Sequence, residues 1–204
     1  NEVPERSEEV REVYSEMEGL GRIIIKEYPT GTATVQTLRS HIEKLSLKGF
    51  IPDLLVIDYA DIMRSSRQYE SMRHELKKVY EDLRNLAMEK NIPIWTASQS
   101  NRDSASSDIV GLENMSESYG KAQVADVVVS ISRKPAEKAS GLGRLYIAKN
   151  RAGRDGILFP IKLNTAMSMF SVIENADEMT LEEAKDKNET DIKKVLQQKW
   201  KQVS

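Results

Sequence analysis

Cysteine is absent from the sequence, so neither a disulfide frame nor a thiolate metal site is available, and a reducing compartment is the simplest setting. Long apolar runs are absent too: none approaches the roughly 20 residues that cross a bilayer, and the opening NEVPERSEEV has no signal-peptide core. No sign of charge prevails. With 30 Lys+Arg against 32 Asp+Glu the formal net charge is −2, which excludes a generally basic nucleic-acid coat and leaves room for a local basic loop. His41 and His74 fall in expected helices far apart, no HExxH or Cys/His cluster exists, and both read as surface residues. A G-x-S-x-G nucleophile elbow is also missing. What is there suits one domain with an appendage: 204 residues, 39% hydrophobic and 30% charged, enough to bury a sizeable core under well-charged helices. The eight methionines are expected to fill gaps in that core.

Residues 4–19 are charged helix formers ended by Gly19 and Gly21 in the manner of a C-cap. RIIIKEY at 22–28 is short and β-branched, which predicts a strand. Thr34 can cap a helix over 35–48, with Val35, Leu38, Ile42 and Leu45 at helical spacing. PDLLVIDY at 52–59 is apolar on both faces, the pattern of a strand buried in a parallel sheet. A long helix over roughly 69–90 follows, with Leu76, Val79, Leu83 and Leu86 on one stripe. NIPIWTAS at 91–98 and ADVVVSISR at 125–133 read as two more buried strands. Between them lie a polar loop at 99–116 and a short helix within MSESYGKAQVAD. GRLYIAKNR and GILFPIKLN, separated by AGRD, form a hairpin pattern, and AMSMFSVI adds a last strand.

Strand–helix–strand alternation over 22–133 predicts an α/β fold, a mostly parallel sheet flanked by helices and joined by right-handed crossovers. The hairpin at 143–163 extends one edge antiparallel. Residues 1–173 form the domain, and 174–204, mostly charge at helical spacing, form a C-terminal helical tail that docks through Val195, Leu196, Trp200 and Val203 or stays solvated. In such sheets ligands sit at the carboxyl ends of the strands.

Three sets of residues stand at those ends. Asp58 follows four apolar residues, so its strand delivers a carboxylate to the sheet's edge. Holding the Mg²⁺ of a nucleotide, usually through water, is one task for it; a helix N-cap or a structural salt bridge is the other reading. Asp61 is either a second metal-site carboxylate or a solvent-facing turn cap. Ser98-Gln99 ends the neighbouring strand, and the glutamine can bond a phosphate oxygen or a water; Arg102 and Lys121 in the loop region behind it are apt for a nucleic-acid backbone, a plain surface loop being the other reading. Lys149 and Arg151, spaced i, i+2 at a strand end, share a face and can clamp a phosphate in cis or from a neighbouring subunit; exposed hairpin cations are the plainer alternative.

Taken in order, PDLLVIDYADIM, IPIWTASQSNRDS, ENMSESYGKAQVADVVVSISR and LYIAKNRAGRDG resemble the ATPase domain of DnaB-type replicative helicases, with the T-even phage branch nearest. With IIIKEYPTGTATVQTLRSHIEKL included, the resemblance covers about residues 20–172. It implies a RecA-like domain of a homo-oligomeric, hexameric ring that hydrolyses ATP or another nucleoside triphosphate with Mg²⁺. Such a ring moves 5'-3' along single-stranded DNA, unwinds the fork, and works with a primase and a helicase loader. It implies a cytoplasmic setting in a bacterial or phage-infected cell and no membrane. Position by position, Asp58 resembles the Walker B aspartate that supports Mg²⁺, and Gln99 the glutamine linking the γ-phosphate to DNA. Ser116, Glu117, Ser118, Tyr119 and Gly120, with Arg102 and Lys121 beside them, resemble the stretch lining the DNA channel. Lys149 and Arg151 resemble the pair that reaches the neighbour's γ-phosphate. Asp61 stands where relatives more often carry an uncharged polar residue, and Tyr119 precedes the glycine where bacterial members usually have Gly directly after Ser.

A phosphate-cradling loop needs G-x-x-x-x-G-K-[ST], and none of the ten glycines supplies one. The single Gly-Lys pair, Gly120-Lys121, is followed by Ala122 and preceded at the required position by Met115. The resemblance therefore implies the C-terminal portion of such a domain, its Walker A segment lying upstream, and a piece inactive on its own. Two alternatives remain at this level: a RecA/KaiC-like recombinase or regulatory ATPase, and a P-loop-less DNA-binding or assembly module.

Overall fold

The computed structural model describes residues 19, 21–99, 110–112, 119–134, 137–138, 140–173 and 179–180. The expected helix at 4–19, most of the 99–116 loop, Arg102, and Ser116, Glu117 and Ser118 lie outside them, as does nearly all of the 174–204 tail.

Helix α1, Val35–Leu47, opens on a reciprocal capping box in which Thr34 Oγ1 accepts from Thr37 N and Thr34 N donates to Thr37 Oγ1, both at 3.2 Å. The chain then enters β1, Leu55–Ile57, and after a single 3-10 turn reaches α2, Met72–Lys90. Asn91 ends α2 in the left-handed region at φ 52°, a conformation asparagine tolerates, and turns the chain into β2, Ile94–Thr96. Strands β1 and β2 pair parallel, with Ile57 opposite Thr96. Both helices pack on one side of this pair. Val35 and Ile42 of α1 meet Val79, Tyr80, Leu83 and Leu86 of α2, and Leu55, Ile57 and Ile94 close the core from the sheet. The expected α2 stripe is thus the one that is buried.

A short helix α3, Tyr119–Val124, leads into an antiparallel sheet of β3 (Val127–Ser132), β4 (Leu142–Asn150), β5 (Ile157–Asn164) and β6 (Met169–Val172), paired in that order. The expected hairpin is β4–β5, and AMSMFSVI supplies β6. Strand β7, Met179–Thr180, pairs with β5, so these two residues are strand where a helical tail was expected.

Several expectations need correction. RIIIKEY forms no strand: Ile23 and Ile25 are 81% and 91% exposed, because a β-branched run becomes a strand only where another strand meets its backbone. Parallel pairing is confined, among the described residues, to β1 and β2; β3 joins the antiparallel set. The three strands expected to be buried on both faces each cover one. Val56 and Trp95 remain 67% and 61% exposed, and Val127, Val129 and Ile131 line an open face of β3. Among the described residues methionine fills little of the core: Met63 packs on it, while Met72, Met88, Met167 and Met169 are exposed. His74 is exposed, and His41 is half-buried with its ring edge-on to Tyr28.

Candidate active site

Parallel pairing brings the ends of β1 and β2 side by side. Asp58 follows β1 directly and is exposed at its carboxyl end, with a cis peptide to Tyr59. Gln99, three residues past β2, is also exposed, and its Nε2 donates to Tyr59 Oη at 3.4 Å. Thr96 ties the two ends together: its hydroxyl donates to Ile57 O at 3.0 Å and accepts from Ala60 N at 2.9 Å. The two residues expected to share a nucleotide edge therefore do lie on one edge.

Lys121 departs from its expected place on a DNA path. Only 2% exposed, it turns its ammonium inward, 2.8 Å from Asp61 Oδ2 and 3.2 Å from Ser98 Oγ. Asp61 accordingly turns inward to an ion pair and not out to solvent. Its Oδ2 also accepts from Ser98 Oγ at 2.9 Å, and its Oδ1 accepts from Tyr80 Oη at 2.7 Å. A buried charge is tolerated when paired and hydrogen-bonded, and each group here has such partners. Burial, reinforced by the bond to Asp61, raises the Tyr80 phenol well above its ordinary pKa of 10.0. The Lys121 ammonium also lies 5.9 Å from the Tyr80 ring centroid.

The far end of α3 is held by other cations. Lys149 Nζ donates to the carbonyls of Ala122, Gln123 and Ala125 at 2.8, 3.0 and 2.7 Å, using all three ammonium protons on a helix end with spare acceptors. Burial, followed by the Arg151 charge, pushes its pKa down. Arg84 donates to the Val124 carbonyl and pairs with Asp126 at 3.0 Å. Arg151, about half exposed, pairs with the same carboxylate oxygen at 2.6 Å. Lys149 and Arg151 thus stand together as their spacing implied, both engaged within the chain. Gly120 is half-buried in α3, and the backbone of Tyr119 begins that helix.

Sequence reasoning placed Ser98 at its strand end but missed the partners Tyr80, Arg84 and Asp126. Tyr80 had a usable signal, since a polar-tipped aromatic beside Val79 on the buried stripe must find an acceptor. The 60-residue separation of Asp61 and Lys121 carried none.

Among the described residues no group of three or more His, Asp or Glu could hold a metal. A lone exposed carboxylate such as Asp58 suits a divalent ion held mainly by phosphates and water, as Mg²⁺ prefers.

Comparison with known proteins places this geometry in a family. The DnaB-like helicase C terminal domain matches residues 3–171. A DnaB-like replicative helicase of Enterobacteria phage T4 is 36% identical over 124 residues, 59% of this chain and 26% of its own length. A probable replicative DNA helicase of Trieres chinensis is 30% identical over 139 residues, 63% of this chain and 30% of its own. The chain thus spans between a quarter and a third of these relatives. Among solved structures, an ATPase domain superposes with a TM-score of 0.59 at 20% identity, covering 67% of this chain and 50% of that one. A DnaB-like replicative helicase whose structure describes its interactions with primase gives 0.64 at 18%, covering 76% and 39%. These likenesses carry the RecA-like fold, although the sheet here is less parallel than expected. With the family match spanning most of its length, the chain belongs to the DnaB-like helicase C-terminal domain family.

Proposed function

We propose that this chain is part of an ATP-dependent replicative DNA helicase that moves 5'-3' along single-stranded DNA. The observation that carries the reading is the placement of Asp58 and Gln99 at the carboxyl ends of adjacent parallel strands, with Gln99 bonded to Tyr59 beside Asp58. In this reading Asp58 would hold Mg²⁺, which when bound would supply positive charge to offset that of the phosphates. Gln99 orients water or a γ-phosphate oxygen beside it. Arg151 reaches a nucleotide held by the neighbouring subunit of a hexameric ring, and Lys149 joins it only on leaving the α3 carbonyls it holds here. Residues 116–120 and Arg102 lie along the DNA, and primase and a helicase loader are the partners.

The phosphate-cradling loop is supplied by polypeptide outside these 204 residues. The sheet supports this: β1, β2 and β3 each have an edge without a strand among the described residues, and Val56 on β1, Trp95 on β2 and Val129 and Ile131 on β3 leave strand faces uncovered. An in-frame G-x-x-x-x-G-K-[ST] upstream of Asn1 is the expected genomic finding. A start codon there instead favours a P-loop-less DNA-binding or assembly module.

The biochemical test is subunit mixing. Arg151→Ala subunits added to wild-type ones are expected to depress nucleotide hydrolysis more than dilution predicts, since one defective arginine silences a neighbour's site. A loss linear in mutant fraction overturns the trans-acting role. Asp58→Asn is expected to abolish nucleotide-driven unwinding.

A further inference from the structure

Lys121 is among the most deeply buried side chains of the described residues, turned away from the DNA path that the resemblance implied for it. Its surroundings define a different task. Asp61 leaves the end of β1, three residues after Asp58. Ser98 leaves the end of β2 and is joined by a peptide bond to Gln99. The Ser98 hydroxyl bonds both members of the ion pair, at 2.9 Å to Asp61 and 3.2 Å to Lys121, so its position is set by where that pair sits. Tyr80 fixes the other carboxylate oxygen from α2. Lys121 itself stands in α3, whose last carbonyls are gathered by Lys149 and Arg84. A six-residue helix bonded at both ends in this way cannot shift along its axis without breaking one set of bonds.

We propose that Lys121 is a positioning residue for Gln99: its buried pair with Asp61, closed by Ser98, ties α3 to the strand ends that carry Asp58 and Gln99. A displacement of α3 then reaches Gln99 through Ser98. This rests on the helicase reading and adds to it the route by which DNA occupancy alters hydrolysis. It also makes Lys121 a strut, where a phosphate contact was expected.

The test uses the complete helicase, this chain joined to its phosphate-cradling segment, as wild type, Lys121→Met, Lys121→Arg and the double variant Asp61→Asn/Lys121→Met. In the double variant both charges go while an amide remains to bond Tyr80 and Ser98, so a folded protein is obtained even where a single variant fails. Hydrolysis is measured with and without saturating single-stranded DNA, DNA affinity by fluorescence anisotropy across salt, and folding by thermal melting. Displacing a catalytic group by a fraction of an ångström is costly, so the ratio of DNA-stimulated to unstimulated rate is expected to fall about tenfold in Lys121→Met and in the double variant. Lys121→Arg, which keeps the cation, is expected to recover part of it. DNA affinity should stay within about twofold, with an unchanged salt slope, because no phosphate contact has been removed. A double variant that melts like wild type and keeps the wild-type ratio overturns the proposal. So does a loss of DNA affinity with a salt slope lower by about one, which marks a direct phosphate contact. If DNA fails to stimulate the unsubstituted protein, the helicase reading itself falls and the strut goes with it, a result distinct from the other two.

Discussion

Breaking the Lys121–Asp61 pair from either side should cost different amounts, and the structure says which side costs more. Two unit charges about 4 Å apart attract by about 4 kcal/mol at an effective dielectric constant of about 20. In Lys121→Met that attraction is lost, but Asp61 keeps two hydroxyl donors, Tyr80 and Ser98, and a side chain 15% exposed to water. The expected cost is about 2–3 kcal/mol. In Asp61→Asn the stranded group is an ammonium 2% exposed, left with the Ser98 hydroxyl and the Tyr80 ring face. That cost is expected at about 3–5 kcal/mol. The double variant removes both charges, and since a buried pair replaced by uncharged groups of similar volume is often nearly neutral, it should lie within about 2 kcal/mol of wild type. The coupling between the two sites is then about 3 kcal/mol or more, far outside the additivity expected of independent sites. Urea titration followed by far-ultraviolet circular dichroism measures all three, with thermal melting as a check at about 2–4 °C per kcal/mol for a chain of this size. Single-variant losses that simply add in the double variant, or a cheaper Asp61→Asn than Lys121→Met, would refute the geometry on which the strut rests.

Two further outcomes follow from the same core. Tyr80 has a raised pKa, so above the phenol's ordinary 10.0 the folded chain holds a proton that the unfolded chain releases. Its contribution to stability is whole below that pH and declines as pH rises beyond it, and melting curves on either side should show a steeper alkaline fall for wild type than for Tyr80→Phe. Leu86 is fully buried between α1, α2 and the sheet. Leu86→Ala should cost about 2–5 kcal/mol in urea titration, and a loss under about 1 kcal/mol would mean that the core can collapse into the space.

Periodicity was a sound guide where one element carried enough residues to average over. Helix α2 buries the stripe its 3.6-residue spacing marks, and α1 begins at the threonine its sequence offers as a cap. The β4–β5 hairpin was legible from two alternating runs around a short polar turn. Strand faces were less legible. PDLLVIDY and NIPIWTAS are apolar throughout, which states only that both faces can be buried; here helices cover one face, and Val56 and Trp95 look outward. RIIIKEY shows the same limit more sharply, since strand formation needs a partner backbone that local sequence does not describe.

For the site, the sequence by itself determined which groups stand at strand ends. Asp58 after four apolar residues, Gln99 after the next run, and Lys149 with Arg151 two apart are consequences of local spacing, and the order of those segments was enough to point to the family. Tertiary structure alone decided which of them turn outward and which are spent inside. Lys121 looked like a free cation beside a glycine; the fold carries it to Asp61, 60 residues away, and charges in a low-dielectric interior stay only where a counter-charge waits. Lys149 looked ready for a neighbour's phosphate, and its three protons go to the end of α3. Local spacing sets where along the chain a charge stands, but burial and pairing depend on contacts between distant segments, which only the folded chain provides.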